Sequence, residues 1–323
     1  MEQQHDANVG RFLSTQPVVL NLPTAIHELP TRGGMIQARS VLSSPGGGFI
    51  GMAAVSHMGV ETGMLSVLGT GPNSFMVRQE LEKHGVKILT DEVIGDIGVA
   101  IQLVEDDGNT TVIISSGIEA DPPIERLKQI PLQEGDILLA HGAALATPEV
   151  AQKFAEWISS VDESVTVVVC PSPLVDQIDP SVWPPLLARA DVLTLNLREA
   201  SLLPRMLKKV DESKDLTYYL KPDCIQVTRM GALGCEYRVG VGGQRIMVPA
   251  FPTDAVDTSG VGDIHVAVMC GSLARGQEIE PSIMMANAAA AVMISHAYTF
   301  PVPTMREIAD VMTFGGGNSG APS

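Results

Sequence analysis

The chain reads as an α/β fold, with a central, mainly parallel sheet flanked by helices and a small β-sheet projecting from it as a lid. Two observations predict the main sheet. Residues 165–170 (VTVVVC), 191–195 (DVLTL) and 225–229 (IQVTR) are short, β-rich and bounded by turn residues. Helical stretches at 148–159 and 197–207 precede and separate them, and buried strands separated by helices pair in parallel. A third observation predicts the lid: the first 120 residues carry a strong hairpin signal.

Taken in order, residues 35–42, 98–105 and 110–115 read as strands, and 51–58 and 73–84 as helices. Asp106-Asp107-Gly108-Asn109 joins the last two strands in a hairpin. The lid is therefore expected from insertions around 30–45 and 96–118 within one domain spanning 1–313. The run from Pro281 to Met305 holds no Asp, Glu, Lys or Arg. Its length would span a membrane, but Asn287, Ser295, His296 and three prolines fit an Ala-rich buried helix better. Residues 314–323 (FGGGNSGAPS) read as a flexible tail.

With 45% hydrophobic residues in 323, the chain can bury a large core. Its formal net charge of −16 repels phosphate backbones and anionic membranes, so neither nucleic acid nor membrane is an expected partner. Cys170, Cys224, Cys235 and Cys270 lack C-x-x-C spacing and lie in or beside apolar runs, so inert buried thiols are expected. The polar first 14 residues have no apolar signal-peptide core, and a cytoplasmic location is the expectation.

The run most informative about chemistry is 254–275, DAVDTSGVGDIHVAVMCGSLAR. Gly260 and Gly262 stand just before a helical stretch, where free N–H groups and the helix dipole stabilise an anion. Asp263 falls in the first turn, placed to take a proton from an attacking hydroxyl. Standing alone, G-x-G-D also fits a plain turn with an N-terminal acid. Neither a P-loop nor G-x-S-x-G nor H-E-x-x-H occurs. Gly46 to Gly51 formally matches G-x-G-x-x-G, without the preceding strand or later acid of a dinucleotide site.

Read whole, D-T-S-G-V-G-D resembles the D-T-x-G-A-G-D signature of the ribokinase-like (PfkB) family of carbohydrate and nucleoside kinases. The resemblance implies that Asp263 is the catalytic base and that Gly260, Val261 and Gly262 form the anion hole. Asp257 and Ser259 would help bind a monovalent cation. Gly46, Gly47 and Gly48 resemble the N-terminal glycine signature that closes over the sugar. Residues 191–202 resemble the strand ending in N-x-x-E, in which Asn196 and Glu199 order magnesium-bound water and nucleotide phosphates. Residues 225–235 (IQVTRMGALGC) resemble V-T-x-G-x-x-G, with Thr228, Gly231 and Gly234 near the nucleotide and one extra residue at Arg229-Met230. Asn287 resembles an Asn beside the adenine pocket.

The sugar end departs from the family. Asn21 stands where many members have a sugar-binding Asp, and Ile50 or Gly51 where an Asn is usual. Asn73 stands where Asp is common, His265 where an aromatic residue is common, and Ala297 where a Gly helps hold the cation. The resemblance implies ATP and Mg2+ as cofactors and a homodimer joined through the lid sheets. The acceptor stays open among hexose, sugar acid, sugar phosphate and nucleoside. A non-catalytic metabolite-binding or regulatory protein on the same fold is the alternative, against which the retained Asp263 counts.

Overall fold

The computed structural model describes residues 9–106, 109–256, 258–296 and 302–315. Its strands are β1 (Phe12–Ser14), β2 (Val18–Ala25), β3 (Ser40–Val41), β4 (Ser44–Gly47), β5 (Thr62–Met64), β6 (Lys87–Ile88) and β7 (Val99–Val104). They continue with β8 (Thr110–Ser115), β9 (Ile137–His141), β10 (Thr166–Cys170), β11 (Val192–Asn196), β12 (Ile225–Arg229), β13 (Cys235–Val239) and β14 (Ile246–Val248). The helices are α1 (Phe49–His57), α2 (Pro72–Lys83), α3 (Ile124–Leu127), α4 (Pro148–Ser159), α5 (Trp183–Arg189), α6 (Leu197–Val210), α7 (Leu216–Tyr219), α8 (Val261–Ala274), α9 (Ile279–Ile294) and α10 (Met305–Phe314).

Nine strands form the main sheet in the order β14-β13-β12-β11-β10-β9-β1-β5-β6. Pairing is parallel from β12 to β6, and β13 and β14 add antiparallel at one edge. Successive side chains of a strand face opposite ways, and both ways are buried here. Phe12, Leu139, Val168 and Val192 join a core with α1, α8 and α9. Leu13, Leu138, Val169 and Leu193 join the other with α4, α5 and α6. This is why these strands read as apolar without alternation.

Helix α8 is buried on nearly every side, between the sheet and the Ala-rich α9. A helix apolar all round belongs in such a layer. Helix α1 crosses it closely. A Cβ on Gly51 would lie 2.6 Å from Ala267 Cβ and 3.2 Å from the carbonyl oxygen of Asp263, so the absent side chain sets how near α1 comes to the first turn of α8.

The smaller sheet runs β3-β2-β7-β8, with β4 also paired to β2. Besides the two expected insertions it uses β2, which neither contains. The expected strand at 35–42 is shorter than read: only Ser40–Val41 pairs, against Thr24 and Ala25, and Met35 upstream is 95% exposed. The hairpin partners β7 and β8 pair from Val99↔Ser115 to Val104↔Thr110 as expected, while turn residues 107–108 lie outside the described residues. Of the expected tail, Phe314 closes α10 and Gly315 follows, and 316–323 lie outside the described residues. No helix among the described residues is long and apolar enough to cross a membrane.

Candidate active site

In an open parallel sheet the carboxyl ends of the strands form the natural crevice. Strand register brings polar residues together along that edge. Cys170 pairs with His141 across β10 and β9, and Asn196 with Arg229 across β11 and β12. The first turn of α8 comes down on this row: His141 Nε2 lies 3.8 Å from Asp263 Oδ1, and Arg229 Nη1 donates to the Gly262 carbonyl at 3.1 Å.

Gly260 caps α8 with φ 70°, a left-handed conformation that favours glycine. The N–H groups of Asp263 and Ile264 close on the Gly260 carbonyl at 3.0 and 3.1 Å. No hydrogen bond among the described residues engages the N–H of Gly260 or Gly262. A third of the Asp263 side chain stays accessible, enough for a hydroxyl to reach it. Its carboxyl is pushed up to about 6. Desolvation is the largest cause, a hydrogen bond from Gln16 and the charge of Arg229 pull it down, and Glu199 pushes it up.

Asn196 caps α6 in a capping box. Its Oδ1 accepts from the Glu199 N–H at 2.8 Å, and its own N–H donates to Glu199 Oε2 at 2.8 Å. Asn196 Nδ2 also donates to Glu199 Oε1 at 2.8 Å, and Arg229 Nη2 pairs with Oε2 at 3.1 Å. Glu199 is 1% exposed, so the pair is neither a free metal ligand nor a surface cap. Both carboxylate oxygens are thus engaged by protein donors. Among the described residues no group of three His, Cys, Asp or Glu could hold a metal ion.

Of the residues expected near the nucleotide, Gly231 and Gly234 share one connection, the Gly234 N–H donating to the Gly231 carbonyl at 2.9 Å. Thr228 sits in β12 opposite Leu195 and Glu236. Gly231 is exposed, and Gly234 is buried at the far end of the β12–β13 connection, closed by the Met230 N–H donating to the Gly234 carbonyl at 2.7 Å. The extra residue at Arg229-Met230 is thus absorbed by that connection. Asn287 faces inward. Its amide donates to the carbonyls of Val248 and Pro249 at 3.2 and 3.0 Å, and its Oδ1 lies 3.0 Å from His265 Nε2. His265 also meets Cys235 Sγ at 3.2 Å, and burial holds its pKa near 3, as for a core histidine.

Asn21 lies in β2 opposite Ser44 of β4, and Asn21 Oδ1 and Ser44 Oγ are both buried without a partner among the described residues. Gly46 and Gly47 pair with Val19 and Val18, and Gly48 caps α1. Ile50 is buried in the core. The Asn73 N–H donates to Asp96, which also accepts from Ser74 at the start of α2. Ser259 is exposed in the turn before α8, whereas Asp257 and Ala297 lie outside the described residues. All four cysteines are buried and unpaired in disulfides, and burial pushes the Cys170, Cys224 and Cys235 thiols up to about 12.

Sequence reasoning missed three members of this site: Gln16, His141 and the charge of Arg229. Each follows or ends an apolar strand, FLS, ILLA or IQV, and a polar residue at that place points into the crevice. That was the available signal.

Comparison with known proteins shows the family and the fold. Residues 19–305 match the family model described as pfkB family carbohydrate kinase. The chain is 27% identical over 303 residues to the uncharacterized sugar kinase YegV of Escherichia coli, covering 90% of both. It is also 27% identical over 303 residues to the ATP-dependent ribose-1-phosphate kinase of Halopiger xanaduensis, covering 93% of this chain and 97% of that one. Among solved structures, ribokinase from Thermotoga maritima superposes with a TM-score of 0.73 at 19% identity, covering 93% of this chain and 98% of the other. The nucleoside kinase of Methanocaldococcus jannaschii gives 0.75 at 16%, covering 94% and 99%. With α8 bringing Asp263 and its glycines to the carboxyl edge of the sheet, and a family match over residues 19–305, the chain belongs to the PfkB family of carbohydrate kinases.

Proposed function

We propose that the protein transfers the γ-phosphoryl group of ATP to a hydroxymethyl group of a sugar or nucleoside, with Asp263 as general base. The observation that carries this reading is the placement of Asp263: first turn of α8, partly accessible, pushed up to about 6, and within 3.8 Å of His141 at the sheet's carboxyl edge. A base with a pKa just below neutral is mostly deprotonated at pH 7 yet still basic enough to accept a proton.

Asp263 removes the proton of the acceptor hydroxyl as its oxygen attacks the phosphorus. The N–H groups of Gly260 to Gly262 and the positive end of α8 stabilise charge on the transferring group. Arg229, through the Gly262 carbonyl, fixes that turn and adds positive charge beside it. A magnesium ion on the nucleotide phosphates would neutralise developing charge, and Glu199 and Asn196 would hold its water shell. Thr228, Gly231 and Gly234 would flank the nucleotide. The fully engaged Asn287 would shape that pocket through the Val248–Pro249 backbone.

The unpartnered Asn21 Oδ1 and Ser44 Oγ support sugar binding under the small sheet, because buried polar atoms normally find a partner. On this reading that sheet closes over the acceptor as a lid and limits hydrolysis of ATP by water. Exposed Val112, Ile113 and Ile114 on β8 support a homodimer formed through the lids. A cytoplasmic location fits a kinase dependent on ATP. Asp257 and Ser259 remain the candidates for a monovalent cation.

The test is ADP release from Mg-ATP with ribose, ribose 1-phosphate, hexoses, sugar acids and inosine, run beside Asp263→Asn. Turnover on one acceptor that disappears in the variant establishes the reading and names the substrate class. ATP binding without turnover on any of them would point to a metabolite-binding role instead.

A further inference from the structure

We propose that His141 holds the acceptor hydroxyl, its Nε2–H donating to the same oxygen whose proton Asp263 removes. The inference rests on the phosphotransferase reading of the site and deepens it, since nothing in the family resemblance assigns His141 a role.

His141 ends β9 and caps the short helical turn Gly142–Leu145 that follows. Its side chain is 5% exposed. Its Nδ1 accepts the backbone N–H of Ala143 at 3.2 Å, so the neutral ring must carry its proton on Nε2. That nitrogen is the one facing Asp263, at 3.8 Å from Oδ1. The ring is neutral because burial, then the charge of Arg229, hold its pKa near 3. An imidazolium would pair with Asp263 and weaken it as a base; a neutral ring leaves the base free.

The backbone behind the ring is fixed. The His141 N–H donates to Thr15 Oγ1 at 3.0 Å, and the Thr15 hydroxyl donates to the Leu139 carbonyl at 2.9 Å. The groups facing the ring are Asp263 from α8, Arg229 from β12 and Cys170 from β10, whose thiol burial keeps protonated. Donor and acceptor are therefore held apart at a fixed distance, which is too long for a direct hydrogen bond. An oxygen set off the line between them reaches both at about 2.8 Å.

A hydroxyl placed there donates its hydrogen to Asp263 and accepts from His141 on one lone pair. Its second lone pair is left for phosphorus. During transfer the proton passes to Asp263, the new oxygen–phosphorus bond forms, and the bond from the γ-phosphorus to the departing ADP oxygen breaks. His141 keeps its proton throughout. The gain is orientational: an otherwise rotating hydroxymethyl group is fixed with a lone pair aimed at the phosphoryl group.

The test compares His141→Leu, which fills the space without a donor, with His141→Gln, which restores a donor of similar reach. Acceptor is the compound in the panel that wild type phosphorylates, and kcat, KM, Mg-ATP affinity and the pH profile are measured. His141→Leu should lower kcat about tenfold to a hundredfold with Mg-ATP affinity unchanged. His141→Gln should recover to within about fivefold and keep the wild-type acid limb. Equal losses in both variants would mean that the ring only supports Ala143, and an unimpaired Leu variant would likewise overturn the proposal. If the Leu variant does not fold, His141→Ala takes its place in the comparison, and equal losses in Ala and Gln, or an unimpaired Ala variant, overturn the proposal. Wild type inactive on every acceptor would remove the phosphotransferase reading and this one together, whereas an active wild type with an active Leu variant removes only this one.

Discussion

The guanidinium of Arg229 bridges two elements: it donates to the Gly262 carbonyl at 3.1 Å and pairs with Glu199 at 3.1 Å. The end of β12 thus ties the glycine turn of α8 to the capped start of α6. Burial alone would lower the Arg229 pKa, but the carboxylates of Glu199 and Asp263 raise it, and the group stays charged. The two segments expected to touch the phosphates are held in register by one largely buried cation.

Removing that cation should be costly. Arg229→Met leaves Glu199 buried with its charge unpaired, and a loss of about 3 kcal/mol or more in unfolding free energy is expected, measured by urea denaturation. Because Arg229 also holds the Asp263 carboxyl down, the acid limb of the pH–rate profile should move up in the same variant. An unchanged limb would show that the two groups do not communicate.

Replacing the base by an isostere should separate chemistry from binding. Asp263→Asn is expected to lower kcat by at least about a hundredfold, with ATP affinity nearly intact by calorimetric titration. Near-normal turnover would remove Asp263 from the mechanism.

Activity should follow the ionisation of Asp263. With its pKa raised to about 6, kcat/KM is expected to be level at neutral pH and to fall about tenfold per unit below that point. In Asp263→Asn the residual rate should lose this limb.

The same shift makes a stability prediction of opposite sign. A carboxyl whose folded pKa lies above its ordinary value binds its proton more tightly in the native state. The native state therefore loses stability as pH rises from about 4 to 6. Asp263→Asn should melt about 1–3 °C higher than wild type at pH 7.5, the difference vanishing by pH 4. A variant that melts lower at pH 7.5 would contradict the desolvation described.

Gly51→Ala tests the crossing of α1 on α8. The added methyl meets Ala267 Cβ at 2.6 Å, so one helix must shift, at about 1–3 kcal/mol. The displaced turn carries Asp263, and kcat should fall more than KM rises. A fully active, equally stable variant would show that the crossing has slack.

The sequence was enough to identify the layered α/β fold, because strands buried on both faces leave nearly continuous apolar runs, as residues 165–170 (VTVVVC) show plainly. It also placed Asp263 and the glycines before it, since a turn that opens a helix is coded within seven neighbouring residues. Less legible were the short strands Phe12–Ser14 and Thr62–Met64, three residues each, too brief for any periodicity to register. The strand Val18–Ala25, which joins the small sheet, contains a proline and lay within a stretch read only for its sugar-binding position. Tertiary structure alone decided which polar side chains meet. His141 and Asp263 are more than a hundred residues apart, as are Arg11 and Asp136, and such pairs exist only through strand order and crossing geometry. Asn287 resembles by position a residue beside the adenine pocket, and only the fold shows its amide bonded to the Val248 and Pro249 carbonyls. Local sequence sets which backbone groups and charges a segment offers; the fold sets how far apart they stand, and here that spacing decides what Asp263 can do.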